Sequence, residues 1–516
     1  MLSKVYNPLV TMTAVLLSFG TAVALAHAGG LPSPALAVPG VVFAFTLARR
    51  PGGEPLPEKL TAAVLFSVLA GASACLGPQL SRHPVVSGAV FVAFMGGSVW
   101  ARRFGAAATR LGAMAPAVAL ACLLAAPAAA ADGPWWPGCG WTALVGLSAF
   151  GWVRAVRWLG RRLTGLPGPR LRPDPAGRAT PRAGVPASTR MAAQTTLALA
   201  IALTAGHLLF GAHWQWCAIS VMVVNMGTAG RGDLALKGIE RGLGAMAGTI
   251  VATALPEVAQ PHGTAAIATI FVLLALASGL RQYSYAVYAC CVTAVLSVLY
   301  GYFGESAQEL LPIRLGALSL GAAIAVTVGW FLLPVRARDV VRARLASALA
   351  ALSALLEARR TESAVPAAII AFDAAAESVW ASARSHRLHR AVLRLTRTPG
   401  DAHPADIGDA LREARVSVRA MAAAGAAPRE RATAAAVGSL RRALADPAAR
   451  LPHLPEPAHQ GPLDGVDAAL RQAAAAIPAL RPPAPRRRIP AARRRRQRLG
   501  RRRHRPRSRT RSWTAD

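Results

Sequence analysis

Hydrophobic positions in this chain come in long blocks broken by short polar or basic loops. Apolar runs lie near 8–28, 32–48, 60–79, 84–101, 112–131 and 138–156. After an interruption come others near 191–210, 213–229, 242–258, 263–280, 284–302 and 314–334. A helix needs about 20 apolar residues to cross the hydrocarbon core of a bilayer. The pattern therefore predicts twelve membrane-spanning helices. Pro39, Gly40, Pro84 and Pro116 blur the ends of these runs, but neighbouring helices in lipid can re-satisfy a broken backbone.

The pattern occurs twice. Val41 to Phe45, a basic loop with Arg49, Arg50 and Lys59, and the run Leu60 to Leu76 are matched by Val221 to Val224, then Arg231, Lys237 and Arg241, then Gly242 to Leu255. Phe91-Val92 with Trp100 to Arg103 corresponds to Phe271-Val272 with Leu280 to Gln282. Gly151 to Arg154 closes the first copy; Gly329-Trp330 followed by Val335-Arg336 closes the second. With six spans each, both copies begin and end on the same side, which predicts parallel repeats related by an axis along the membrane normal.

Alternate loops are basic (Arg49/Arg50/Lys59, Arg102/Arg103/Arg110, Arg154 to Arg162, Arg231/Lys237/Arg241, Arg281, Arg336/Arg338) and the loops between them are poor in Lys and Arg, with Arg82 the main exception. The positive-inside rule then predicts a multi-pass plasma-membrane protein with both termini cytoplasmic. Trp135, Trp136, Trp214, Trp216 and Tyr302 fall at the outer loops, where an aromatic belt belongs. Lys4, the first apolar run and Ala26-His27-Ala28 together imitate a signal peptide. Their place in the repeat predicts a retained span instead.

Beyond Pro334 the period changes. Leu345, Leu349, Leu352 and Leu356 recur at helical spacing among arginines, and further helical stretches follow near 364–396, 403–424, 428–446 and 464–479. The expected division is a six-helix bundle over 1–160, a Pro/Arg-rich cytoplasmic linker over 161–190, a second six-helix bundle over 191–335, a cytoplasmic helical domain over 336–480 and a disordered tail over 481–516. The tail holds 16 arginines and one acid, a block that repels itself and stays unfolded.

Composition sharpens this. The 516 residues are 53% hydrophobic with mean hydropathy +0.37, yet the net charge is +34, a combination foreign to a soluble globular domain. Lysine occurs only at Lys4, Lys59 and Lys237, so the charge is arginine. Six cysteines (Cys75, Cys122, Cys139, Cys217, Cys290, Cys291) sit mostly in apolar runs without a C-x-x-C pair. They read as packing residues, with neither a disulfide nor a metal expected. Neither a catalytic constellation nor a Walker motif is present, so an enzyme is not expected and no cofactor is implied.

Candidate chemistry rests on arginines near hydrocarbon. Arg241 and Arg314 are the candidate anion contacts, because an arginine there must be paired, hydrated or facing a cavity, and its fork of donors matches a carboxylate. Arg241 also reads as a headgroup anchor beside Glu240. Gly242, Gly244, Gly248 and Gly321 are small residues at helical spacing, suited to close helix packing. Tyr283, Tyr285 and Tyr288 open the eleventh span as either interface anchors or an aromatic platform. Arg493, Arg494, Arg495 and Arg496 typify a tail expected to lie on anionic lipid rather than nucleic acid.

His213-Trp214 through Gly230-Arg231, then Arg241-Gly242-Leu243-Gly244-Ala245-Met246-Ala247-Gly248, and later Arg314-Leu315-Gly316-Ala317-Leu318-Ser319-Leu320-Gly321, resemble the fusaric acid resistance (FUSC) membrane protein family. Ala245 replaces a usual Thr, Ala317-Leu318 a frequent Asp-Thr, and the first copy offers Glu58-Lys59-Leu60-Thr61 in place of the arginine and glycines. The resemblance implies an all-α fold of two six-helix bundles with helical cytoplasmic parts. It also implies efflux of small organic anions, aromatic and other weak acids, with Arg241, Arg314, His213 and Trp214 as substrate contacts. Expected partners are that anion, anionic lipids and a second copy packed through the helical domain. Two other readings stay open: a passive anion channel like the plant aluminium-activated malate transporters, and a membrane-anchored scaffold with a polyanion-binding tail.

Overall fold

The computed structural model describes residues 2–50, 55–125, 136–164, 185–228, 230–254, 263–302, 307–396, 403–424, 430–446, 449 and 463–480. Every regular element among them is helical. The first group is α1 (Leu2–Ala28), α2 (Ser33–Leu47), α3 (Leu56–Arg82), α4 (Pro84–Trp100), the short α5 (Ala106–Gly112), α6 (Ala115–Ala125) and α7 (Trp136–Thr164). The second is α8 (Ala187–Phe210), α9 (Gln215–Asn225), α10 (Arg231–Ala254), α11 (Thr264–Leu280), α12 (Tyr285–Tyr302) and α13 (Ala307–Phe331). A third comprises α14 (Ala337–Arg360), α15 (Val365–Ser382), α16 (Arg384–Thr396), α17 (Pro404–Ala423), α18 (Glu430–Ala445) and α19 (Asp464–Leu480).

The helices of the first two groups are apolar on both faces. On α3, Ala62, Phe66 and Ala70 are buried while Leu60, Val64 and Val68 are exposed; on α10, Leu243, Met246 and Ile250 face outward. A helix apolar all round, with its outer face uncovered, belongs in lipid. Nine described helices are long and apolar enough to cross a membrane, and Ser33–Leu47, Gln215–Asn225 and Thr264–Leu280 are shorter apolar helices. One of the nine, Val365–Ser382, is better explained as a core helix. Its Phe372, Ala376 and Val379 are buried in the third group, and its Asp373 and Glu377 pair with Arg415 at 2.9 and 3.0 Å.

Packing partners correspond across the first two groups. In the first, α1 packs on α2 and α7, α2 on α7, and α3 on α6 and α7; in the second, α8 packs on α9 and α13, α9 on α13, and α10 on α12 and α13. The groups meet through α4 against α8 and α11 against α1. Close approach falls at small residues. A Cβ on Gly244 would meet the Ala286 carbonyl at 2.5 Å, and one on Gly248 or Gly321 would run into the carbonyl of Cys290 or Cys217. Gly242, expected to pack likewise, has open space instead.

Cysteine reading needs a correction. Cys75 of α3 and Cys139 of α7 form a disulfide, with Cα atoms 6.0 Å apart. The pair lies where Gly71 lets α3 approach the Cys139 carbonyl, a contact between residues 64 apart in sequence that no local spacing announces. Cys122, Cys217, Cys290 and Cys291 are free thiols.

The third group has its own core, in which Leu345, Leu349, Leu352 and Leu356 are all buried. The stretch expected as one helix near 364–396 breaks at Ala383, because α15 packs on α14 and α17 while α16 turns aside to reach α10. Residues 481–516, including Arg493 to Arg496, and most of the linker expected at 161–190 lie outside the described residues.

His403 caps α17. Its Nδ1 accepts the Ala405 N–H at 3.2 Å, and the Asp406 carboxylate accepts the His403 N–H at 3.0 Å. Burial, then His386, Arg390 and His389, pushes the His403 imidazole down to about 4. The neutral ring is the one that can accept this bond.

Two outcomes follow. Replacing Gly248 by Leu should wedge α10 from α12 and lower stability by about 1–3 kcal/mol, read as a lower Tm in detergent, with Gly242→Leu the mild control. For His403 the folded pKa is depressed, so its contribution is complete above the ordinary value of 6.5 and is lost as pH falls towards about 4. Hydrogen exchange at the α17 N-terminus of the full chain should accelerate across that window, and His403→Asn, which keeps a capping acceptor, should flatten the dependence.

Candidate functional site

Between the two bundles lies a cavity of about 640 Å³. Its wall comes from both groups: α2 from Ser33 to Thr46, α12 from Tyr285 to Tyr302, and faces of α1, α6, α9, α10 and α11. Most of the wall is apolar, with Phe19, Val38, Phe45, Leu120, Phe271 and Leu299 typical. One end is different. There Arg49 and Arg50 at the end of α2, Lys237 and Arg241 on α10, and Arg281 after α11 converge with Tyr285 and Tyr288. Among the described residues no carboxylate lines the cavity.

Local chain geometry produces this basic end. α9 is only 11 residues long, nine of them buried. The chain then leaves helical geometry at Met226 and turns through Gly227, whose φ of +72° suits glycine. Non-helical backbone at membrane depth is tolerated where it lines a cavity, and Met226 and Gly227 do line it. Lys237 satisfies the freed Met226 carbonyl with its ammonium and lies over the Tyr285 ring, 5.3 Å from its centroid. Arg241 is one turn further along the same face of α10.

Arg49 joins the bundles. Its Nε donates to the Phe45 carbonyl at 3.0 Å and its guanidinium donates to the Tyr288 hydroxyl. Arg281 stands 5.4 Å from the Tyr288 ring, on which Arg49 also packs. These cations are held by carbonyls, hydroxyls and ring faces.

Arg241 is held by less. It is 2% exposed, and its buried Nε has no hydrogen-bond partner among the described residues. A buried charge without a counter-charge is costly, and the space it faces is the cavity. Such an end can take an anion by charge and by hydrogen bonding, while the wall beyond takes an apolar body.

The other residues singled out from sequence are elsewhere. Arg314 on α13 is also 2% exposed, but it stands 4.9 Å from the ring centroids of both Trp216 and Tyr300 and donates to the Ser297 hydroxyl. Trp214 stacks on His207 at 4.4 Å, and His213 occupies the turn between α8 and α9. None of the three lines the cavity; they gather at the opposite end of the second bundle. Arg49, Lys237, Arg281 and Tyr288 were legible only as loop cations and an interfacial tyrosine. The available signal was the four-residue spacing of Lys237 and Arg241, obscured by reading 231–241 as a loop when it is the first half of α10.

Arg314 thus fills a cation–π box. Arg314→Ala should cost about 2–4 kcal/mol by leaving two aromatic faces and a cavity behind, seen as a lower Tm, and Arg314→Lys should recover only part of it.

Residues 197–328, spanning most of the second bundle, match the family model described as fusaric acid resistance protein-like. Comparison with curated protein sequences returns no match.

Proposed function

We propose that this FUSC-family membrane protein exports small organic anions, aromatic or other weak carboxylic acids, through the cavity between its bundles. The observation that carries the reading is Arg241: a buried guanidinium whose Nε has no hydrogen-bond partner among the described residues, facing an apolar cavity whose same end gathers four further cations and, among the described residues, no carboxylate. The chemical complement is an anion with an apolar body.

In this reading the chain sits in the plasma membrane as two parallel six-helix repeats crossing twelve times. The matched packing partners of α1–α7 and α8–α13 support that arrangement. Both termini are cytoplasmic, so the basic end opens inward and the helical domain hangs beneath it. The Cys75–Cys139 disulfide then falls at the outer ends of α3 and α7, on the side where disulfides persist. Substrate enters at Arg241, Lys237 and Arg49, and rocking of one bundle against the other passes it outward. The arginine block over 481–516 lies on anionic lipid, gaining about 1 kcal/mol per residue near that surface.

A passive anion conduit is the second reading. It is favoured by the lining itself, which among the described residues holds neither a carboxylate nor a histidine to carry a proton.

Cells lacking the protein should accumulate weak aromatic acids, and re-expression should lower the accumulation. Arg241→Ala, losing one charge-assisted contact of about 1.5–3 kcal/mol, should raise the half-saturating acid concentration about 10–100-fold. Equal intracellular acid in all strains would overturn export. Efflux that persists after the proton gradient is collapsed at fixed voltage would select the conduit.

A further inference from the structure

We infer that the acid this cavity accommodates is an amphiphile, with its anionic head at the basic end and an extended apolar body, much longer than one ring, along the remaining wall. This rests on the anion reading above and specifies its substrate class.

The dimensions come first. The cavity is lined along α2 from Ser33 to Thr46 and along α12 from Tyr285 to Tyr302, helical stretches about 20 and 26 Å long at 1.5 Å per residue. Its 640 Å³ falls within the range of about 300–1,000 Å³ that houses drug-sized ligands. A single-ring acid anchored at Arg241 would leave most of that wall without contact, and unfilled apolar space forfeits dispersion on every lining atom.

Polarity comes second. Between the basic end and the far rim at Ser33 and Tyr302, the wall carries no free polar side chain among the described residues. Thr46 lies within the last turn of α2, and its hydroxyl donates to the Val42 carbonyl. A compact polyanion would find all its partners at one end and lose hydration along the rest of the route. An amphiphile matches both parts at once: the head meets Arg241, and the body replaces water or void against Val38, Leu120 and Phe271.

Two sources offer this chemistry: a free long-bodied carboxylate from the cytoplasm, or an anionic phospholipid from the adjoining leaflet. The test uses the full chain in nanodiscs of zwitterionic lipid, titrated with benzoate and with straight-chain carboxylates of increasing length. The quantity read is the part of binding that Arg241→Ala removes, which separates the site from partition into the bilayer. Kd should fall about three- to fourfold for each added methylene, until the chain reaches the far rim. Val38→Trp, which narrows the wall midway, should make that gain stop at a shorter chain. The length series on the unaltered protein stands even where this variant folds poorly.

An anionic phospholipid in the disc that displaces the longest acid would identify the leaflet as the source, and failure to displace it would identify the free acid; either supports an amphiphile site. Benzoate binding as tightly as the longest chain, with no dependence on length, would overturn this inference and leave the anion reading standing. Absence of Arg241-dependent binding for every carboxylate would instead overturn that reading.

Discussion

A guanidinium surrounded by apolar helices has to be compensated by something, and the manner of compensation organises this molecule. Arg314 and Arg241 are equally buried, on neighbouring helices of the same bundle. Arg314 lies between the faces of Trp216 and Tyr300 with the Ser297 hydroxyl at its tip. Its charge is absorbed into the packing of α9, α12 and α13 and ties those helices together. Arg241 has no such box. Ring faces and a hydroxyl suffice for a cation that must stay still. An open cavity suits one whose partner arrives and leaves.

The cavity exists because the helices beside it are short or broken. α2, α6 and α9 have 15, 11 and 11 residues, too few to span the hydrocarbon alone. The unwound step after α9 puts the Met226 carbonyl within reach of Lys237. Longer helices wrap these elements, with glycines allowing α10 to lie close against α12 and α13 close against α9. The helical domain joins the same frame: the Arg231 N–H donates to the Val335 carbonyl at 3.0 Å in the segment leading to α14, and α16 packs on α10.

The sequence made the apolar helices and the leucine stripe of α14 legible, because both are carried by period and length within one segment. It did not make the cavity legible. Arg49 and Arg281 are loop cations in a linear reading, and only the apposition of α2 with α12 turns them towards a shared space. Residues 231–241 carry so much charge that hydropathy assigns them to a loop. Their helical periodicity is visible only once Lys237 and Arg241 are seen to share a face. Arg314 misleads in the opposite direction: burial of a charge signals that something compensates it, and sequence does not distinguish an aromatic box from a ligand site. The disulfide was hidden for the same reason as the cavity, being a contact between distant helices.

The basic end also depends on where nearby carboxylates are directed. Glu58 near the start of α3 and Glu240 on α10 are the carboxylates next in sequence to Lys59 and Arg241. Glu58 is held by Arg110 at 2.6 Å, and Glu240 is held by Arg384 of the helical domain at 2.5 Å. Neither lines the cavity. Glu240 is one turn from Lys237 on α10, within the reach at which opposite charges on a helix pair. Were it released, its charge would offset that of the cations beside it. Arg384 thus both docks α16 on α10 and pairs with the carboxylate next to Arg241 in the chain. The cation cluster belongs to the membrane bundles, and the carboxylate beside it is paired from the helical domain.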